Sequence, residues 1–209
     1  SITWRMRFSE KEGRIPFDFI SKEETCMEVV EGAVIRLEQA AACHRERAEE
    51  MKREFFAAGE RVINGSALYD QMDFDSWLEN TQRNHAPETV RKDWTVATTF
   101  FAVRKADGAM IGVIDVRHAL SVSFLREYGG HIGYAVRPSQ RRKGYATEML
   151  CLALGYCRKL GLPAVRLGCY LDNLASIRTI EKCGGQQVEE KPYLDGREMA
   201  VYEIPLPKE

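Results

Sequence analysis

The stretch Arg141-Arg142-Lys143-Gly144-Tyr145-Ala146-Thr147 has the residue types of an anion cradle. It lies between a predicted strand and a predicted amphipathic helix, where the first backbone N–H groups are unpaired and the helix dipole is positive. Gly144 lets a ligand approach the backbone where a side chain would block it. Arg137, Arg141, Arg142 and Lys143 place four positive charges within seven residues, enough to face a multiply charged phosphate ligand. The plainer alternative is a solvated basic loop. Neither standard nucleotide motif fits: Lys143 precedes Gly144 with no second glycine upstream in the loop, and G-x-G-x-x-G is absent.

The elements that must hold this loop are legible around it. His131 to Arg137 reads as a strand stopped by Pro138. Ala146, Met149, Leu150, Ala153, Leu154, Cys157 and Leu160 keep helical spacing, and Gly161 with Pro163 ends that helix. A strand from Ala164 to Tyr170 follows, then Asp172-Asn173, a short helix from about Leu174 to Lys182, and a hairpin turning at Asp195-Gly196. Upstream, residues 95–104 and 110–116 make a hairpin around Asp107-Gly108. Helix is expected across at least residues 39–58, with Ala33 to Leu37 open between strand and first helical turns. Asp73 is a candidate cap for a helix from Phe74 to about Thr81. Tyr69, Phe74 and Trp77 suit either core packing or a substrate wall.

With these elements in place, the sequence resembles the GNAT superfamily of acyl-coenzyme A dependent N-acetyltransferases, in a bacterial-type subgroup. The family's cofactor loop reads [R/Q]-x-x-G-x-[G/A], here Arg141-x-x-Gly144-x-Ala146. Its second cofactor motif is matched by Asn173-Leu174-Ala175-Ser176-Ile177 with Glu181-Lys182-Cys183-Gly184. The resemblance implies an α/β (α+β) fold: a mixed central sheet with splayed parallel central strands, 131–137 and 164–170, flanking helices and a C-terminal hairpin. It covers residues 95–204 firmly and 27–94 loosely, so residues 27–209 are expected as one domain and 1–26 as an N-terminal arm or leader.

The resemblance further implies acetyl-CoA as cosubstrate and an amine of unknown identity as acceptor, attacked directly in a ternary complex. Backbone groups near Val136 would align the pantetheine arm and supply an oxyanion donor, and amides from Arg142 to Thr147, through Lys143, Gly144, Tyr145 and Ala146, would hold the pyrophosphate. Asn173 and Ser176 would lie along the arm, although Asn173 also suits a plain helix cap. The Tyr that often serves as proton donor aligns with Ile180, a departure that opens the alternative of a catalytically degenerate acyl-CoA binding module. His131 and Tyr170 are the catalytic candidates, with His118 as a second possible base. Cys169 at the strand end reads as buried rather than nucleophilic, since no base is recognisable beside it. Arg117, Glu127, Tyr69 and Trp77 are possible acceptor-wall residues, and Tyr202 on the last strand marks a possible homodimer edge.

Composition bounds what remains. The chain has 209 residues, 44% hydrophobic, with formal net charge -1, so no global basic field draws it to nucleic acid or an anionic membrane. No run is long enough for a membrane span. Six cysteines without C-x-x-C pairs or zinc-finger histidines argue against a metal and for mostly structural thiols in a reducing, cytoplasmic setting.

Overall fold

The computed structural model describes residues 28–207; the expected N-terminal arm, residues 1–26, lies outside the described residues. Eight strands and four helices are described: β1 (Val29–Glu31), β2 (Ile35–Gln39), α1 (Arg45–Ala57), α2 (Phe74–Asn84), β3 (Ala97–Arg104), β4 (Met110–Arg117), β5 (Ile132–Val136), α3 (Tyr145–Lys159), β6 (Ala164–Tyr170), α4 (Leu174–Lys182), β7 (Gln186–Pro192) and β8 (Glu198–Pro205). Strands β1 to β5 form one antiparallel sheet in sequence order, and β6, β8 and β7 form a second with β8 in the middle. The architecture is the expected mixed α+β one.

Three local expectations change. Of Ala33 to Leu37, the residues from Ile35 on resolve as strand, because Ile35, Leu37 and Gln39 are buried on β3, so the helix starts at Arg45 after a 3-10 turn instead of at residue 39. Tyr69 and Trp77 are fully buried in a cluster with Phe55, Phe74 and Phe101, so they are core and not acceptor wall. Tyr202 is buried in the central strand of the second sheet, with both edges of that strand paired, so it offers no edge to a second subunit.

The five-stranded sheet is covered on both faces, which is why β3 and β4 are almost wholly buried. Adjacent residues serve opposite cores, as period-two alternation requires: Phe100 packs toward α3, and Phe101 toward α1 and α2. Helix α2 begins as predicted, with the Asp73 carboxylate accepting the Ser76 N–H at 3.0 Å. Only part of the cysteine expectation holds. Cys157 is fully buried, Cys169 and Cys183 are half-buried, and Cys43 and Cys151 are exposed. No described helix is long and apolar enough to cross a membrane, and no described group of His, Cys, Asp and Glu has metal-site spacing.

Candidate active site

Strands β5 and β6 lie side by side where the two sheets meet, but they do not form a ladder. An isolated bridge joins Gly130 to Leu167, and the His131 N–H donates to the Arg166 carbonyl at 2.7 Å. Beyond that point the strands part. The register of β5 on β4, with the Arg117 N–H bonded to the His131 carbonyl and the Arg137 N–H to the Ile111 carbonyl, turns odd-numbered residues of β5 toward β4. By alternation the N–H and C=O groups of Tyr134 and Val136 face the opening. The N–H groups of both have no partner among the described residues. This is a strand edge with free donors inside the protein, a costly arrangement unless something else uses it.

His131 helps to hold the strands at their meeting point. Its Nδ1 accepts the Arg166 N–H at 3.0 Å, so the ring replaces a backbone acceptor across the gap. Burial, then the charges of Arg117 and Arg166, push its pKa down to about 4, and the ring is neutral. It does not line the cleft that opens beyond it. His118 lies on the opposite face from Arg117, where its Nε2 bonds Thr98 Oγ1 at 2.8 Å, and it too lies outside the cleft.

At the far end of β5 the chain turns through Pro138–Gln140 into the predicted loop. Arg142 and Gly144 take left-handed backbone conformations, φ 63° and 86°. The turn aims successive N–H groups outward: those of Arg142, Lys143, Gly144, Tyr145 and Ala146 have no partner among the described residues. A Cβ on Gly144 would meet nothing within 4 Å, so the space above it is open. Five unpaired amides at a helix N-terminus fit a pyrophosphate, and the free donors of Tyr134 and Val136 fit the amide-bearing arm of coenzyme A.

The four basic side chains do not act alike. Arg137 pairs with Glu50 and Glu54, which i, i+4 spacing places on one face of α1, and Glu54 also accepts the Ser139 N–H at 2.7 Å. Arg141 donates to the Val136 carbonyl at 3.0 Å and forks onto Glu60 at 2.6 and 2.8 Å. Burial pushes the Glu54 carboxyl up, but the Ser139 N–H and Arg137 outweigh it and hold the group below its ordinary pKa, and the Arg141 fork lowers Glu60. Arg137 and Arg141 therefore strap the loop to α1 and its following segment, contrary to the expectation that all four charges face the ligand. Arg142 makes no described ion pair, and Lys143 bonds only Ser139 O and Gln140 Oε1, both at 3.1 Å, so their charges are left for an anion.

The opening between β5 and β6 widens into a cleft of about 260 Å³. On the α4 side stand Asn173, Ser176 and Ile180, with Cys169 and Tyr170 from β6. Asn173 caps α4, its Oδ1 accepting the Ser176 N–H at 3.1 Å, while its Nδ2 remains without a described partner. Ile180 fills the position where a Tyr was expected from the motif. A hydroxyl nonetheless reaches this place from the other wall: Tyr134 Oη lies 3.1 Å from Ser176 Oγ. Burial lifts Tyr134 to about 12, so it stays protonated. Burial lifts the Cys169 thiol to about 11, which leaves it un-ionised and a poor nucleophile. The Tyr170 ring lines the cleft, but its hydroxyl donates to Asp195 at 3.0 Å, and burial followed by that carboxylate raises its pKa.

On the acceptor side, Gly65, at φ 66°, lies so close to Gly133 that a Cβ on it would fall 2.0 Å from the Gly133 carbonyl. The Asn64-Gly65 loop is thereby laid directly on β5 as a wall. Arg117 and a cluster of aromatic rings complete the cleft. Glu127, expected as a wall residue, instead pairs with Lys191 at 3.1 Å. No motif marks Tyr134 as a functional group, although its place two residues before Val136 on an alternating strand puts both on one face. The aromatic cluster comes from segments too far apart for any spacing to announce it.

A model of the acetyltransferase (GNAT) domain matches residues 35–186. The chain belongs to the GNAT acetyltransferase family. It is accordingly an acyl-CoA dependent N-acyltransferase. No curated protein gives a significant match to its sequence. Among solved structures, RimL, a ribosomal L7/L12 alpha-N-protein acetyltransferase in complex with coenzyme A, aligns with TM-score 0.64 at 16% identity, covering 87% of this chain and 100% of that one. The microcin C7 self-immunity acetyltransferase MccE, in complex with acetyl-CoA and AMP, gives 0.62 at 16%, covering 84% and 94%. A GNAT-family acetyltransferase from Bacillus anthracis gives 0.61 at 15%, covering 85% and 98%. At these identities the likeness is one of fold.

Proposed function

We propose that this GNAT enzyme moves the acetyl group of acetyl-CoA to a primary amine by direct attack within a ternary complex. The observation that carries the reading is two sets of unpaired backbone donors at the two ends of one chain segment, Tyr134 and Val136 on β5 and the amides of residues 142–146. The first pair matches the pantetheine arm and the thioester, and the second matches the pyrophosphate. Arg142 and Lys143 add charge, and Asn173 Nδ2 and Ser176 approach the arm from α4.

Direct attack is favoured over an acyl-enzyme because the cleft thiol, Cys169, is held protonated and has no base against it. The N–H of Tyr134 or Val136 receives the developing oxyanion, an interaction that strengthens as charge accumulates. The departing thiolate takes a hydrogen bond from the Tyr134 hydroxyl, itself oriented by Ser176. This replaces the donor lost at Ile180 and answers the reading of the chain as a degenerate binding module. His131 is already bonded to Arg166, and Tyr170 to Asp195, so we assign them to positioning. No carboxylate lines the cleft among the described residues, so the amine proton leaves to solvent through the open mouth.

The test is amine-dependent release of the CoA thiol from acetyl-CoA, followed with a thiol-reactive dye while both substrates are varied. Intersecting double-reciprocal lines are expected. Parallel lines would establish an acyl-enzyme and return Cys169 to the mechanism, and amine-independent turnover would end the transferase reading.

A further inference from the structure

The acceptor end of the cleft carries a chemical signature that the acetyl-transfer chemistry does not require. Four aromatic rings from three separate segments converge there: Phe124 and Tyr128 around the π-helical turn Leu125–Gly129, Tyr170 from the end of β6, and Tyr193 from the β7–β8 turn. Tyr193 stands at the centre. Its ring meets Tyr128 edge-to-face at 5.3 Å and 90°, Tyr170 at 5.5 Å and 88°, and Phe124 at 6.4 Å and 70°. All four rings line the cleft, and a further arene is favoured against such rings in the same edge-to-face or offset geometry.

Charge narrows the occupant. No carboxylate lines the cleft among the described residues, and its charged lining side chain is Arg117. The cations behind the aromatic wall are already engaged with it: Arg197 lies 3.7 Å from the Tyr170 centroid, and Lys191 lies 5.1 Å from that of Tyr128. The nearby carboxylates are engaged too, Asp172 with Arg197, Glu127 and Glu189 with Lys191, and Asp115 with Arg117. Asp195 behind Tyr170 is already hydrogen-bonded by the Tyr170 hydroxyl and the Arg197 N–H, so a polycation would bring distal ammonium groups toward Arg117, Lys191 and Arg197 with every nearby carboxylate already engaged. Size narrows it further: the whole cleft is about 260 Å³, and its Asn173–Ser176 side is assigned to the pantetheine arm, so only part of that volume is left for the acceptor.

Resting on the acetyltransferase reading, we infer that the acceptor is a small primary monoamine bearing an aromatic ring. The ring seats in the corner of Tyr193 and Tyr128 beside Phe124, and the amine points toward the free donors of β5.

The test is calorimetric titration of 2-phenylethylamine, butylamine and spermidine into the CoA-loaded protein and, separately, into the protein alone. Phenylethylamine is expected to bind about tenfold more tightly than butylamine, with spermidine weakest. Tyr193→Ala and Phe124→Ala should each weaken phenylethylamine about threefold to tenfold and leave butylamine and CoA unchanged. Phe124 is 42% exposed, so its variant is the one least able to disturb folding. Equal binding of ring-bearing and ring-free amines would overturn the inference, as would tightest binding of spermidine. Binding of a peptide with N-terminal phenylalanine but not of phenylethylamine would also overturn it, in favour of a protein acceptor. Failure of CoA to bind would strike the acetyltransferase reading instead, and the titration without CoA would still decide whether the cleft prefers a ring.

Discussion

The two ends of the cleft are built from different materials. The proposed cofactor end is one stretch of chain, Tyr134 to Ala146, that presents free backbone N–H groups at both its ends and is braced from behind by Glu50, Glu54 and Glu60. The acceptor end is a set of side chains carried in from the Asn64-Gly65 loop, the end of β4, the turn before β5, and the second sheet. Backbone recognition constrains conformation and leaves most side chains free to vary; side-chain recognition constrains identity and leaves the backbone free. One fold can thus keep one cosubstrate while its acceptor changes.

The largest effect should come from filling the backbone cradle. Gly144→Glu places a carboxylate where the amides should meet pyrophosphate, and we expect acetyl-CoA affinity to fall at least about 100-fold by calorimetry. The fold should survive, since a Cβ there meets nothing and only the left-handed backbone resists, at a cost of roughly 1 kcal/mol. Gly144→Ala pays that same conformational cost without the charge, and should bind within a few-fold of wild type. Equal loss in both variants would mean that loop geometry, rather than ligand contact, carries the effect.

Tyr134 stands where the two ends meet, and its removal should separate catalysis from binding. Tyr134→Phe keeps the ring and deletes the hydroxyl, so kcat should fall about tenfold to 100-fold while the Kd for acetyl-CoA changes less than about twofold. The expected loss lies at the low end for an acid because a thiolate leaves with little help. Tyr170→Phe should lower kcat only a few-fold. If the two variants traded places, the donor would be the hydroxyl beside Asp195, and the wall supplying it would be β6.

The contrast between the two ends also explains what could be read in advance. The loop, α3 and the capped α4 are local features: Gly144, the Asn173 cap and the spacing Met149, Leu150, Ala153 each state their structure within a few residues. The splay of β5 from β6 follows family resemblance and was not visible in either strand alone, because unpaired donors leave no mark on composition. The brace was misread for a related reason. Arg137 and Arg141 announce charge, but Glu54 and Glu60 lie more than 80 residues away in sequence, and only folding shows that these charges are already answered. The aromatic corner is the extreme case, with Phe124 and Tyr193 belonging to different sheets' connections.

The brace gives a smaller, sharper test. If Arg141 acts by holding the loop against Glu60, then Arg141→Ala and Glu60→Gln should each weaken acetyl-CoA about threefold to fivefold, and the double variant no more than either alone. Arg142→Ala and Lys143→Ala should behave differently: each weakens binding by a similar factor, adds to the other, and loses its effect as salt screens the exposed charge. Additive losses at Arg141 and Glu60, with matching salt dependence, would return Arg141 to the ligand and make the cofactor end partly a side-chain site after all.

The smallest effect on turnover is expected at His131, where the two ends share a hinge of strand against strand. Its neutral ring accepts the Arg166 N–H, and burial lowers its pKa from the ordinary 6.5 to about 4. Because the folded value is depressed, the unfolded chain binds the extra proton first. The stability tied to the neutral ring is therefore complete above about pH 6.5 and drains away as pH falls toward 4. His131→Gln keeps a side-chain oxygen for the Arg166 N–H but cannot titrate, so its Tm should fall less than that of wild type between pH 6.5 and 4.5. Its kcat at pH 8 should stay within about threefold of wild type, since a positioning group whose acceptor is replaced leaves the reacting atoms untouched. A collapse of kcat with acetyl-CoA affinity intact, and a wild-type pH dependence of Tm, would instead make the ring the base and move the site of proton transfer from the open mouth to the foot of the splay.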